Sequence, residues 1–187
     1  MTGTPSWASR VRSPRTAIIA AAVVTVAVAL IVVGATVGSG APAPRSLGQA
    51  KNFTVSVLGH PGQHLALESL AGRPVIVNFF ASWCVPCQRE TPMIARFFRA
   101  ERGRVTVVGI DVNDSASAAL AFVHKSGVTY PVGVDPLPMK TATAYGLPGL
   151  PATFFLNARH TIVKRVFGAL TRAELTSGTT LMAKRAG

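Results

Sequence analysis

Cys84 and Cys87 are the only thiols in the chain, and just Val85 and Pro86 lie between them. A disulfide that closes so short a loop stabilises little, because the loop-closure entropy it removes from the unfolded chain falls with loop length. Structural stapling is therefore a poor reason for the pair, and reversible thiol–disulfide exchange is a better one. That chemistry needs a thiolate, since the protonated thiol is a weak nucleophile at neutral pH. Zinc is a poor alternative: a structural site takes four ligands, and His60, His64, His124 and His160 lack the spacing of a second ligand pair.

The elements around the pair must supply the thiolate. Val75-Ile76-Val77-Asn78-Phe79-Phe80-Ala81 is a continuous β-branched and aromatic run, suited to a strand buried on both faces. A helix is expected from about Cys84 to Glu101, with Met93, Ile94, Phe97 and Phe98 at helical spacing. Cys84 then faces the unpaired N–H groups and positive dipole end of that helix, which lower a thiol pKa. Cys87, one turn further in, is placed to attack a mixed disulfide at Cys84. The expected roles are attack by Cys84 and resolution by Cys87. Pro86 costs nothing in a first helical turn, where its missing N–H has no partner anyway. Trp83 offers an aromatic plane that shields the nucleophile or simply packs.

Alternating residues 53–57 and 65–67 read as an N-terminal β-hairpin around the turn at Gly59 and Pro61-Gly62. Residues 105–110 form the next strand, ending at Asp111. Asp114 is the expected cap of a helix over 116–125, closed by Gly127. A short strand at 132–134 and a short helix at 139–145 follow. Residues 152–156 and 161–167 read as an antiparallel pair, and Thr171 with Glu174 as a capping box opening the last helix, to about Lys184. This order implies an α/β domain with a mixed sheet flanked by helices.

Ahead of the domain, residues 16–37 carry no charge. As a helix they would extend roughly 33 Å, enough to cross a bilayer core. The expected organisation is a basic tail at 1–15, a transmembrane signal anchor at 16–37, a flexible Pro- and Gly-rich linker at 38–50 and a domain at 51–187. Arg10, Arg12 and Arg15 precede the span and no acid occurs before Glu68, so the N-terminus is expected in the cytoplasm and the domain outside. Ala41-Pro42-Ala43 has the small-x-small look of a cleavage site, but the apolar run is long for a signal peptide, which favours an uncleaved anchor. Net charge is +12 at pH 7, and residues 51–187 contribute fifteen Lys and Arg against seven Asp and Glu. The bases are scattered without aromatic interleaving, so nucleic acid is not an expected partner and the charge reads as solvated surface.

Residues 78–87, Asn-Phe-Phe-Ala-Ser-Trp-Cys-Val-Pro-Cys, followed by Gln88-Arg89-Glu90-Thr91-Pro92, resemble the strand–turn–helix of thioredoxin-like proteins. They are most similar to the TlpA/ResA/CcmG branch of membrane-anchored thiol–disulfide oxidoreductases. Gly149-Leu150-Pro151-Ala152-Thr153-Phe154 is similar to that family's loop before a strand, with Pro151 at its cis-proline position. The resemblance covers about residues 50–184. It implies a thioredoxin-like fold, a substrate groove that includes Leu150 and Pro151, and support around the cysteines from Trp83, Val85 and Pro86. Glu90 is a candidate proton relay by that likeness, although a surface helix carboxylate is the expectation favoured here. No bound cofactor or metal is implied beyond the redox-active Cys84–Cys87 disulfide.

By the same resemblance the function is that of a disulfide reductase for exported proteins, with apocytochrome c as one client, recharged by a membrane electron-transfer partner and working as a monomer. A disulfide-forming oxidant or isomerase is the alternative. Asn78 stands where thioredoxins carry an acid that helps move the proton of the buried thiol, so another base or water must serve here; Val85 stands where some ResA-like reductases carry Glu, which argues against a role dedicated to cytochrome c maturation. Copper delivery of the Sco type uses CxxxC and a distant His rather than the CxxC found here.

Overall fold

The computed structural model describes residues 47–101 and 103–184. The expected tail at 1–15, the span at 16–37 and most of the tether lie outside them. Among the described residues no helix is long and apolar enough to cross a membrane.

Seven strands form one sheet: β1 (Thr54–Val57), β2 (His64–Ala66), β3 (Val75–Phe80), β4 (Thr106–Val112), β5 (Val132–Asp135), β6 (Ala152–Leu156) and β7 (Ile162–Phe167). Their order is β2-β1-β5-β4-β3-β6-β7. β3, β4 and β5 run parallel, while β1–β2, β1–β5, β3–β6 and β6–β7 pair antiparallel. The sheet is thus mixed and opens with the expected hairpin. Every side chain of β3 is buried, as its unbroken apolar run required.

Among the described residues four α-helices flank the sheet: α1 (Val85–Glu101), α2 (Ala116–Lys125), α3 (Lys140–Ala144) and α4 (Arg172–Lys184). One core cluster joins Ile76, Phe80 and Phe155 of the sheet to Ile94 of α1, Phe122 of α2 and Met182 of α4, and it includes both cysteines. On the other face Val77, Phe79 and Phe154 pack with Ala142 of α3 and with Tyr145. The Tyr145 ring lies 5.1 Å from Phe79 and 5.0 Å from Phe154, centroid to centroid. α4 sits close on the sheet because Gly178 has no side chain; a Cβ there would lie 2.4 Å from Phe155 ring carbons.

Two local expectations change. The cap of α2 is Ser115, whose Oγ accepts from Ala118 N at 3.3 Å, and Asp114 serves the active-site loop instead. Residues 47–50, read as the end of a flexible tether, run beside the start of β7. Leu47 N donates to Ile162 O, Ile162 N to Gly48 O and Ala50 N to His160 O, and Ala50 is buried. These backbone pairs need no side-chain pattern, so composition alone hid them. The Thr171–Glu174 capping box forms as expected, with Glu174 N donating to Thr171 Oγ1 and Thr171 N to Glu174 Oε2.

Candidate active site

The chain leaves the sheet at Phe80 and turns over Ala81, Ser82 and Trp83 before α1 starts at Val85. Each residue of that turn is tied down. Ser82 N donates to Asp114 Oδ2 at 2.6 Å, Trp83 Nε1 to Asn113 O at 3.1 Å and Cys84 N to Ala81 O at 3.2 Å. Gln88 Nε2 reaches back to Ser82 O at 2.7 Å. Asn113 itself has φ +49°, in the left-handed region that Asn tolerates better than most residues.

Cys84 and Cys87 are joined as a disulfide. Cys84 occupies the position before the first helical residue, and Cys87 N donates to Cys84 Sγ at 3.3 Å. A sulfur held there by a helix N-terminal N–H is held where negative charge is favoured. Cys84 is 5% exposed and Cys87 0%, so only the first has any surface. Cys84 is thus the outer sulfur of the pair and Cys87 the inner one.

Around them, Trp83 and Val85 are each 59% exposed and flank the disulfide with apolar surface. Pro86 lies in the first turn of α1. The Leu150–Pro151 peptide is cis, just ahead of β6, and Leu150 packs on the cluster that holds the cysteines. A cavity of about 270 Å³ opens between Trp83, Met139, Leu147 and Leu150. Sequence-predicted Trp83, Leu150 and the cysteine pair thus converge on one patch. The Leu137–Pro138 peptide, also cis, carries no mark in the sequence that distinguishes it from other X–Pro pairs.

Glu90 corrects the expectation of a surface carboxylate: it is 3% exposed. Asn78 Nδ2 donates to its Oε1 at 2.9 Å, and Leu170 N donates to its Oε2. Burial raises its pKa above the ordinary carboxylate value; the Leu170 and Asn78 hydrogen bonds oppose that rise, and the charge of Glu174 adds to it. The signal was in the helical spacing, since Glu90 falls three residues after buried Cys87 and four before buried Ile94. Asn78, which cannot titrate, is therefore in direct contact with a group that can. Its Nδ2 also donates to Thr153 Oγ1 at 3.0 Å.

Asp111 is an acid that the sequence did not mark as a site residue. It is the last but one residue of β4, opposite Phe80 of β3, and is buried, with Oδ1 unpartnered. Burial first, and then the charge and hydrogen bond of Asp114, push its pKa up to about 7. Asp114 in turn accepts from Ser82 N and, through Oδ1, from Ser115 N at 2.8 Å. A pair of carboxyls thus sits beneath the turn that leads into Cys84. A charged residue between Ile110 and Val112 in an otherwise apolar run was the available sequence sign.

Comparison with known proteins is consistent with this geometry. Residues 48–165 match the AhpC/TSA family. The chain is 30% identical over 129 residues to the protein named thiol-disulfide oxidoreductase ResA of Bacillus thuringiensis (strain Al Hakam), covering 68% of this chain and 72% of that one. Among solved structures it superposes on DsbF of MTB with a TM-score of 0.63 and 28% identity, over 70% of this chain and 94% of that one. A secreted Mycobacterium tuberculosis disulfide oxidoreductase described as homologous to E. coli DsbE gives a TM-score of 0.62 and 27% identity, over 68% and 94% respectively.

Proposed function

The chain belongs to the AhpC/TSA family, and from that premise we propose that it is a thiol–disulfide oxidoreductase, held at the membrane by residues 16–37, whose domain reduces disulfides of exported proteins. The observation that carries this reading is the Cys84–Cys87 disulfide at the N-terminus of α1, with a helix N–H on the outer sulfur and the inner one fully buried.

In the reduced protein the Cys84 thiolate attacks one sulfur of a client disulfide. A mixed disulfide forms and the client's other sulfur leaves as a thiolate. Cys87, losing its proton, then attacks Cys84 Sγ. The mixed bond breaks, the second client thiolate departs, and the Cys84–Cys87 disulfide remains. Two electrons pass to the client, whose two thiolates take up two protons. Cys87 is buried, so its proton needs a nearby acceptor. Glu90, buried one helical turn further along α1 and raised in pKa, is the group we assign to that relay, with Asn78 orienting its carboxylate. Trp83, Val85, Leu150 and Pro151 form the surface against which the client lies. Electrons return from a membrane electron-transfer partner, and no bound cofactor takes part. Apocytochrome c is one client class that fits, and a monomer suffices for this chemistry.

Direction rests on the reduction potential, where about 30 mV shifts this two-electron equilibrium tenfold. Equilibrating the purified protein with glutathione buffers of known ratio measures it. A potential well below about −200 mV is expected; one near the roughly −120 mV of a strong oxidant such as DsbA overturns the reductase direction in favour of disulfide formation.

A further inference from the structure

Two cavities flank the turn before Cys84. Trp83 walls the apolar one described above, while the preceding residue, Ser82, walls a second of about 510 Å³ between α1 and α2. Arg89 and Lys125 line this second cleft, with Gln88, Pro92 and Phe122 beside them. Ser82 precedes Cys84 by two residues and Gln88 follows Cys87 directly, so the cleft is lined by the residues that flank the cysteine pair in sequence.

No acid among the described residues forms an ion pair with the two charges of this cleft. Of its seven acids, Glu90, Asp111 and Asp135 are buried. Glu101 pairs with Arg104 at 3.3 Å, Glu68 takes Asn52 Nδ2, and Glu174 takes Thr171. Asp114, which holds Ser82, is occupied by two backbone N–H groups. Residues outside the described set add no acid, since 1–46, 102 and 185–187 contain neither Asp nor Glu. Arg89 and Lys125 have no ion pair among the described residues. Two like charges facing one cleft are tolerated in water and are relieved by an anionic ligand.

We propose that this cleft binds an acidic stretch of the client polypeptide, so that the protein favours disulfides with Asp or Glu within a few residues of the attacked cysteine. This rests on the redox reading above. The client strand that presents its sulfur to Cys84 lies against Trp83 and Leu150 on one side. On the other its carboxylates meet Arg89 and Lys125, which raises the encounter rate and fixes the direction of the strand.

The test uses the full-length chain in a neutral detergent, reduced and then freed of reductant. It is mixed in single turnover with two synthetic peptides carrying the same internal disulfide. One has four Glu beside the cysteine, the other four Gln. Each turnover oxidises Cys84 and Cys87 to the disulfide and delivers two electrons to the peptide, whose two thiolates take up the Cys87 proton and one from solvent. The Glu peptide is expected to react about tenfold faster at low salt, with the gap closing near 0.5 M salt. Arg89→Glu combined with Lys125→Glu abolishes or inverts that ratio. Arg96→Glu, two turns along α1 and lining a different cavity, leaves it unchanged. Should the double variant not fold, Arg89→Gln and Lys125→Gln singly each lower the ratio. Equal rates for the two peptides, or an equal loss in Arg96→Glu, overturn the proposal. So does a double variant that loses binding to phosphatidylglycerol vesicles while its peptide ratio stays at the wild-type value, because the cleft then faces lipid. If neither peptide reacts at all, the redox reading itself fails.

Discussion

Asn78 of β3 and Glu90 of α1 are joined by a 2.9 Å hydrogen bond that links the strand before the cysteine pair to the helix after it. The bond crosses a fully buried space, and each partner has a further tie, Asn78 to Thr153 of β6 and Glu90 to Leu170 ahead of α4. A titratable group has thus been placed one turn from Cys87 without an acid in β3.

Replacing Glu90 separates its structural from its chemical part. Glu90→Leu leaves one N–H of the Asn78 amide and the Leu170 N–H without acceptors in a dry interior, at a cost of about 2–3 kcal/mol. Glu90→Gln keeps one acceptor, and an Asn78 amide flip can meet its new donor, so about 1 kcal/mol or less is expected from urea unfolding of the oxidised protein. Resolution of a preformed mixed disulfide should nonetheless slow about tenfold or more in Glu90→Gln and lose its dependence on an acid of raised pKa. A wild-type rate and pH profile in that variant would remove Glu90 from the relay.

Asp111 predicts a pH dependence of stability with a definite sign. Its pKa rises from 3.8 to about 7 on folding, so the folded state holds its proton more tightly than the unfolded chain. The stability this supplies is complete below pH 3.8 and is lost as pH rises towards 7. Ionisation places a second charge beside Asp114, the residue that holds Ser82. Asp111→Asn keeps a neutral side chain there and should flatten the stability profile over this window. Relative to wild type it gains roughly 2 kcal/mol at pH 8, allowing for partial screening. Parallel slopes for the two proteins in urea melts from pH 4 to 8 would exclude this role.

Legibility in the sequence followed how local each determinant is. The buried run 75–80, the start of α1 beside Cys84 and the Thr171–Glu174 box depend on neighbours within one element, and all three form as read. The ties that build the site are long-range. Ser82 meets Asp114 across 32 positions, Asn78 meets Thr153 across 75 and Glu90 meets Leu170 across 80. Asp114 looked like a cap because Asp is a good one, yet Ser115 sits one residue nearer the helix and takes that duty. Glu90 looked like surface because carboxylates seldom lie buried, and only the spacing from Cys87 to Ile94 said otherwise.

Gly178 tests the packing of α4 on the sheet. A methyl group there would meet the Phe155 ring at 2.4 Å, and Phe155 is itself fully buried with no room to turn aside. Gly178→Ala gains about 1 kcal/mol in helix propensity but overpacks the core by more. A net loss of about 1–2 kcal/mol in urea unfolding is expected, recovered when Phe155→Leu is added. Equal or higher stability of the single variant would mean that α4 can shift freely along β6.

The division of labour between the two sulfurs gives the sharpest test of the reaction. Cys84 has the exposed edge and the helix N–H; Cys87 has neither a free surface nor a way for a client to reach it. A client can therefore be attacked only by Cys84, and only Cys87 can release it. Cys87→Ser should accumulate mixed disulfides, visible as higher bands on non-reducing gels that collapse with dithiothreitol, and mass spectrometry of those bands identifies the clients. Cys84→Ser should trap none, because the remaining thiol is buried and its attack would require the turn at Ser82–Trp83 to open. If Cys84→Ser traps clients and Cys87→Ser does not, the roles are reversed and the helix N-terminus is not what activates the nucleophile. If both trap equally, that turn opens readily in solution, and its hydrogen bonds to Asp114 and Asn113 do not restrain it.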